Sequence, residues 1–108
     1  MSDRELLELA AKATGLRIVD WAGMVPMVLP PGRTIPMEWQ PLTDDGDAFR
    51  LAVRLQISTE PLYSYCVAYS GGVCAQQFSE PVRNFDDPFV AARRAVVRAA
   101  AEIGKAMP

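Results

Sequence analysis

The chain has 108 residues, of which 50% are apolar and 22% charged, and its formal net charge is −2. This length suits one domain, residues 1–108, and the composition excludes a disordered chain, which would be more polar and more highly charged. The slightly acidic balance disfavours a general nucleic-acid binder, since such proteins concentrate Lys and Arg.

The opening residues predict neither a secretory signal nor a membrane anchor. They interleave charges with leucines, whereas a signal peptide has a basic start and a continuous apolar run. The longest mostly apolar run, residues 22–31, is interrupted by prolines and is far too short to span a bilayer. We therefore expect a cytoplasmic protein with no membrane contact.

The first half of the chain predicts a helix followed by two or three strands. Residues 3–14 carry apolar side chains at helical spacing, with Ser2 or Asp3 as N-cap and Gly15 as the stop. Strands are predicted at 16–21 and 24–29. The second strand is assigned to a sheet edge or a bulge because Pro26 has no backbone donor. The proline-bracketed residues 34–39 form a short third strand or an extended loop.

The second half predicts a helix, a hairpin and a last helix. Short acidic side chains at 43–47 suit the capped start of a helix that runs to about Leu55. Two β-prone runs, 63–69 and 73–78, enclose the glycine pair of a hairpin turn. Asp87 caps the last helix, which runs to about Ala106.

The apolar stripe predicted for this last helix begins at its first turn and follows helical spacing. Its members are Phe89, Ala92, Val96, Ala99 or Ala100, and Ile103. Together the elements predict the α+β class, with three helices covering a mainly antiparallel sheet of about four strands.

Several chemistries are excluded or disfavoured by residue types. The chain has no histidine, which removes the commonest general base and metal ligand, and two cysteines without histidine cannot complete a structural zinc site. No glycine loop precedes a Lys and a Ser or Thr, so a P-loop is excluded. Cys66 and Cys74, diagonal neighbours in the predicted hairpin, are expected to be free thiols. We predict no catalytic residue, no bound metal and no cofactor.

The acidic residues Asp44, Asp45 and Asp47 have a spacing reminiscent of divalent-metal loops. They lack the remaining oxygen ligands and the terminal glutamate of an EF-hand, so helix capping is the favoured interpretation. The alternative is a carboxylate- or metal-dependent enzyme that uses these three residues.

Aromatic residues supply the first set of candidate binding residues: Trp39, Tyr63, Tyr65 and Tyr69. The odd spacing of the tyrosines places them on one strand face. This face either packs under a helix or, if exposed, forms a ligand site or a protein interface.

Arginines on the last helix supply the second set: Arg93, Arg94 and Arg98. They would meet an acidic partner or a phosphorylated small ligand. The alternative is a solvated helix face with weak ion pairs, for which Arg98 and Glu102 have the i,i+4 spacing.

Two segments carry a family resemblance. The first is Trp39-Gln40-Pro41-Leu42-Thr43-Asp44-Asp45-Gly46-Asp47-Ala48, followed by Arg50-Leu51-Ala52-Val53. The second is Ala92-Arg93-Arg94-Ala95-Val96-Val97-Arg98-Ala99-Ala100-Ala101-Glu102-Ile103-Gly104. Together they resemble the small phage and prophage proteins described as phage ABA sandwich domains, and the similarity covers nearly the full chain. Gln40 stands where the family motif is expected to have Asn.

The resemblance implies a three-layer α/β/α sandwich with a mainly antiparallel sheet, in a protein made in the cytoplasm of a bacterial host. It implies no established reaction and assigns no binding residues.

Our leading hypothesis is a non-enzymatic accessory protein that binds a host or phage partner. A sharper version is a counter-defence protein that inhibits a bacterial immunity component or sequesters a nucleotide signal, for which basic and aromatic side chains must converge in one pocket. Two other functional classes remain. One is the carboxylate- or metal-dependent enzyme, and the other is a structural or assembly protein that forms a homo-oligomer through the tyrosines.

Overall fold

The computed structural model describes residues 1–61, 65–70, 77–81 and 87–108. The helices in these ranges are α1 (Asp3–Thr14), α2 (Asp45–Leu55) and α3 (Pro88–Ala106). The strands are β1 (Arg17–Ala22), β2 (Val25–Leu29), β3 (Met37–Glu38), β4 (Ile57–Pro61), β5 (Tyr65–Ser70) and β6 (Gln77–Pro81).

The helix boundaries follow the predicted caps. The Ser2 hydroxyl accepts a hydrogen bond from the backbone N–H of Glu5, and Gly15 ends α1 with φ at 77°. The Asp44 carboxylate accepts from the N–H of Asp47 at 2.8 Å and starts α2. Asp87 accepts from the N–H of Phe89, also at 2.8 Å, and Pro88 opens α3. All three helices are therefore confirmed.

The α+β class with antiparallel pairing is confirmed, but the described strands form two three-stranded sheets instead of one sheet of about four. Their orders are β1-β2-β3 and β4-β5-β6. Strand β4 was not predicted, although its β-branched residues Ile57 and Thr59 are two positions apart, the spacing of one strand face. The third strand is only two residues long, and helix α2 separates the two sheets along the chain.

The edge position predicted for Pro26 is wrong, because β2 is the central strand of the first sheet. Pro26 is buried, lies opposite Trp21, and accepts a hydrogen bond from the N–H of Trp39 at 3.0 Å through its carbonyl. The register irregularity lies in the partner strand β1, between Ile18 and Asp20. The missing proline donor is tolerated because β3 pairs only with Met27 and Val28, so Pro26 lies beyond the paired residues of that ladder.

The predicted hairpin is confirmed as an antiparallel pair, and its second strand is described from Gln77 to Pro81. The register differs from a pairing centred on the glycine pair, since Tyr69 lies opposite Gln77 and Cys66 opposite Glu80. Residues 71–76, among them Cys74, lie outside the described part, so the thiol prediction for Cys66 and Cys74 stays open.

Helix α3 is the centre of the core. It packs against α1, α2 and all three strands of the second sheet. Its buried side chains are small or medium in size and lie on several sides of the helix: Ala91, Ala95, Val96, Val97, Ala99, Ala100 and Ala101. The predicted stripe is confirmed at Val96, Ala99 and Ala100, which belong to the core. Ile103 packs against the core partly buried, and the prediction is wrong at Phe89, whose side chain is exposed. Because alanine side chains are small, other helices and strands pack against α3 on several sides. A single apolar stripe predicts packing on one side only.

Candidate binding site

A cleft of about 320 Å³ lies between α2 and the first sheet. Its apolar wall includes Leu16 of the α1–β1 connection, Val28 of β2 and Leu51 of α2. Val28 and Leu51 belong to the core, so this wall is fixed by the packing that holds the domain together. The cleft is therefore a preformed depression with an apolar base.

Trp39, one of the predicted site residues, forms part of this cleft. The side chain is only 7% exposed and belongs to the core, so it offers the cleft a small part of its surface. Its backbone N–H donates to the Pro26 carbonyl oxygen, which ties the residue to the central strand of the first sheet. Trp39 is thus both a core residue and a rigid part of the cleft wall.

Three arginines line the same cleft: Arg33, Arg50 and Arg54. Arg50 and Arg54 are four residues apart on α2, which places them on one helix face. Arg33 is the last residue of a tight turn over residues 30–33. Its N–H donates to the Pro30 carbonyl oxygen at 3.1 Å, and Gly32 has φ at 78°. This is the geometry of a type II turn with Pro31 at its first central position, so the backbone of Arg33 is held firmly.

The charges of the cleft are unevenly paired. A guanidinium nitrogen of Arg50 lies 2.7 Å from Asp47 and 3.8 Å from Asp44. The hydrogen bond to Asp47 raises the pKa of Arg50, and the charge of the same carboxylate acts in the same direction. Within the described residues, neither Arg33 nor Arg54 makes a salt bridge.

The acidic side chains that line the cleft are Glu38 and Asp47. Asp47 already accepts hydrogen bonds from Arg50 and from the backbone N–H of Gln40, at 2.7 and 2.9 Å. Asp44, 3.8 Å from Arg50, adds a third carboxylate beside the cleft, so Arg50 is already neutralised by acidic neighbours. Arg33 and Arg54, which make no salt bridge within the described residues, are the two cations that favour an anionic ligand.

The predicted arginines of α3 each contact a different part of the chain. Arg93 donates to the Leu42 carbonyl oxygen at 2.9 Å and to Asp45 at 2.5 Å. Arg94 pairs with Asp3 at 2.8 Å. These contacts tie α3 to the start of α2 and to the start of α1.

Arg98 pairs with Glu80 of β6 at 2.5 Å instead of with the expected Glu102. Arg94 and Arg98 do line one depression, but they share it with the carboxylates of Glu80 and Glu102. Arg93 lines a separate groove. The structure therefore brings two of the three predicted arginines together, in mixed-charge surroundings.

The three acidic candidates of the enzyme alternative also have distinct partners. Asp44 caps α2, Asp45 pairs with Arg93, and Asp47 binds Arg50 and the N–H of Gln40. No group of three or more potential metal ligands occurs in the part of the chain that the structure describes. The favoured capping interpretation is confirmed for Asp44.

The tyrosine candidates are described only in part. Tyr63 lies outside the described residues, and Tyr65 and Tyr69 are placed only by the backbone of β5, the central strand of its sheet. Tyr69 lies opposite Ser58 on one side and Gln77 on the other. Their role at an interface stays a prediction.

The arginines of the cleft were missed as site residues by sequence reasoning. Arg50 and Arg54 are exposed on α2, and their closeness to Trp39 depends on how α2 packs across the first sheet. The available signal was the i,i+4 arginine pair together with the Pro-Pro-Gly-Arg turn. Neither feature by itself indicates a common site.

Comparisons with protein-family models, curated proteins and solved structures found no match to this chain. The resemblance to phage ABA sandwich domains therefore stays a prediction. In the described part of the chain, no helix combines the length and apolarity needed to cross a membrane.

Proposed function

We propose that this chain is a non-enzymatic phage or prophage accessory protein that binds a small anionic ligand of the nucleotide class in the cleft. The observation that carries this proposal is the convergence of Arg33, Arg50 and Arg54 with Trp39 in one depression. The phage origin and the bacterial cytoplasm rest on the family resemblance. Of the two counter-defence mechanisms considered, sequestration of a nucleotide signal is the one that this convergence favours.

The arginines supply what a phosphate group requires. Planar guanidinium groups donate paired, charge-assisted hydrogen bonds to phosphate oxygens. Arg33 and Arg54 form no salt bridge in the described chain, so a ligand would not have to break one. Asp47 holds the Arg50 guanidinium in place through a hydrogen bond of 2.7 Å.

The rest of the cleft suits a ligand with a flat or apolar body. Leu16, Val28 and Leu51 line it beside Trp39, and such surfaces make favourable contacts with a nucleobase. Its volume of about 320 Å³ lies at the lower end of ordinary ligand pockets, which favours a mononucleotide over a larger ligand. Because Asp44, Asp45 and Asp47 hold structural partners, the site favours binding over turnover.

Isothermal titration calorimetry with AMP, GMP and UMP tests the proposal, with adenosine and inorganic phosphate as partial ligands. We expect at least one mononucleotide to bind more tightly than either partial ligand. Arg33→Gln and Arg54→Gln should each weaken that binding by roughly tenfold or more, because a hydrogen bond to a charged group contributes about 1.5–3 kcal/mol.

Arg17→Gln is the matched control, since Arg17 is an exposed arginine outside the cleft. It should leave the affinity unchanged. The proposal is wrong if none of the mononucleotides binds, or if Arg17→Gln weakens binding as much as the cleft variants do. Circular dichroism of each variant checks that the fold is retained.

A further inference from the structure

Strand β3 brings an open sheet edge to the cleft. Among the described strands it is an edge strand of the first sheet, and both of its residues, Met37 and Glu38, line the cleft. An edge strand presents backbone N–H and C=O groups that no neighbouring strand pairs. Backbone groups of this kind commonly fix the orientation of a small ligand.

The register shows that Glu38 turns its backbone groups away from β2. Glu38 lies opposite Met27, and the N–H of the next residue, Trp39, donates to the Pro26 carbonyl oxygen at 3.0 Å. Neighbouring residues of an antiparallel strand direct their N–H and C=O groups to opposite sides. Because Trp39 bonds β2, Glu38 directs both groups to the open edge. Within the described residues, no hydrogen bond uses either of them.

A contact of Gln40 shows that this open edge faces α2. Gln40 follows Glu38 by two positions, so its N–H points to the same side of an extended chain. That N–H donates to a carboxylate oxygen of Asp47 at 2.9 Å. Asp47 lines the cleft together with Arg50 and Arg54 of the same helix. The N–H and C=O of Glu38 therefore face the side on which the cleft lies.

We infer that the base of the bound nucleotide lies edge-on against Glu38, donating one hydrogen bond to its carbonyl oxygen and accepting one from its N–H. This inference rests on the proposed function, since it names the group that recognises the base of the ligand. Each base carries an adjacent donor and acceptor on its Watson–Crick edge: the amino group and N1 of adenine, N1–H and O6 of guanine, N3–H and O4 of uracil. Arg33 and Arg54 line the same cleft and hold the phosphate group.

The short open edge favours a base over an extended peptide. A peptide that adds a strand to a sheet needs free backbone groups at several alternate positions. Strand β3 has two residues, Pro36 directly before it has no N–H, and the N–H of Gln40 is already bonded to Asp47. Among residues 36–40, Glu38 is thus the one position with a free donor and acceptor on this side, which matches the single edge of a base.

Calorimetric titration of the wild-type protein with methylated nucleotides tests this inference. GMP is compared with GMP methylated at N1, UMP with UMP methylated at N3, and AMP with AMP whose amino group is dimethylated. Each methylation removes the donor that the Glu38 carbonyl oxygen requires. For every parent nucleotide that binds, we expect its methylated form to bind roughly tenfold more weakly or worse.

Glu38→Pro tests the backbone donor directly. Proline removes the N–H that points to the open edge, and edge strands tolerate proline at such positions because the ladder does not use that N–H. Binding should weaken by roughly five- to tenfold, with the circular dichroism spectrum of the wild type. Glu38→Ala is the matched control, since it keeps the N–H and loses only the side chain. It should bind the nucleotide at least as tightly as the wild type, because it removes a negative charge from the cleft.

The outcomes separate this inference from the proposed function. Methylated nucleotides that bind as tightly as their parents would overturn the inference and leave the proposed function intact. Equal losses of affinity in Glu38→Ala and Glu38→Pro would also overturn it, because the side chain would then be the binding group. If no parent nucleotide binds, both fail together. Should Glu38→Pro not fold, the methylated nucleotides decide the matter on the wild-type protein.

Discussion

Gly104 of α3 lies so close to the carbonyl oxygen of Leu9 in α1 that no larger residue fits between the two helices. A Cβ atom built on Gly104 would stand 1.9 Å from that oxygen and 2.8 Å from the carbonyl carbon. Glycine lowers helix stability by about 0.5–1 kcal/mol relative to alanine. The close approach of the two backbones explains why a glycine is nevertheless required at this position.

Gly104→Ala should lower the free energy of unfolding by about 2–4 kcal/mol, because the added methyl group forces α1 and α3 apart and disturbs a packed core. Urea denaturation followed by circular dichroism measures this change. Gly46→Ala in α2 is the control: its Cβ would lie 3.2 Å from Arg50 and Asp44 side-chain atoms, which can move. That variant should lie within about 1 kcal/mol of wild type. Equal stability of the two variants would contradict the described helix contact.

Local signals allowed the helices to be predicted, whereas contacts between distant residues did not follow from the sequence. Ser2, Gly15, Asp44 and Asp87 act on backbone groups within a few residues, so short segments suffice to recognise them. The closeness of Gly104 to Leu9 depends on the packing of two helices far apart in sequence. The same applies to the cleft. Arg33 lines it together with residues of α2 only because the first sheet packs against that helix.

Asp44→Ala should lower the free energy of unfolding by about 1 kcal/mol, because the N–H of Asp47 loses the oxygen that caps α2. Asp44→Asn should retain most of this stability, since its amide oxygen can accept the same hydrogen bond. Thermal and urea denaturation of the two variants provide the comparison. If Asn were as destabilising as Ala, the negative charge, and not the capping hydrogen bond, would be the main contribution of Asp44.

A salt bridge between Arg98 and Glu80 connects α3 to the edge strand β6. The Glu80 carboxylate is largely buried. The Glu80 side chain is 10% exposed and that of Arg98 is 39% exposed. Arg98 also donates to the Ser79 carbonyl oxygen at 3.2 Å and lies 5.9 Å above the Phe78 ring. Arg98→Met would leave the Glu80 carboxylate in a poorly solvated position without its counter-charge.

We expect Arg98→Met to lower the free energy of unfolding by roughly 1–3 kcal/mol, less than for a fully buried pair because Arg98 remains partly solvated. A double-mutant cycle with Glu80→Gln should give a coupling energy of about 1 kcal/mol or more. The exposed pair of Arg4 and Glu8, 3.4 Å apart, is the matched control and should couple by at most about 0.5 kcal/mol. A coupling for Arg98 and Glu80 no larger than that of the control would show that the connection between α3 and β6 depends on apolar packing alone.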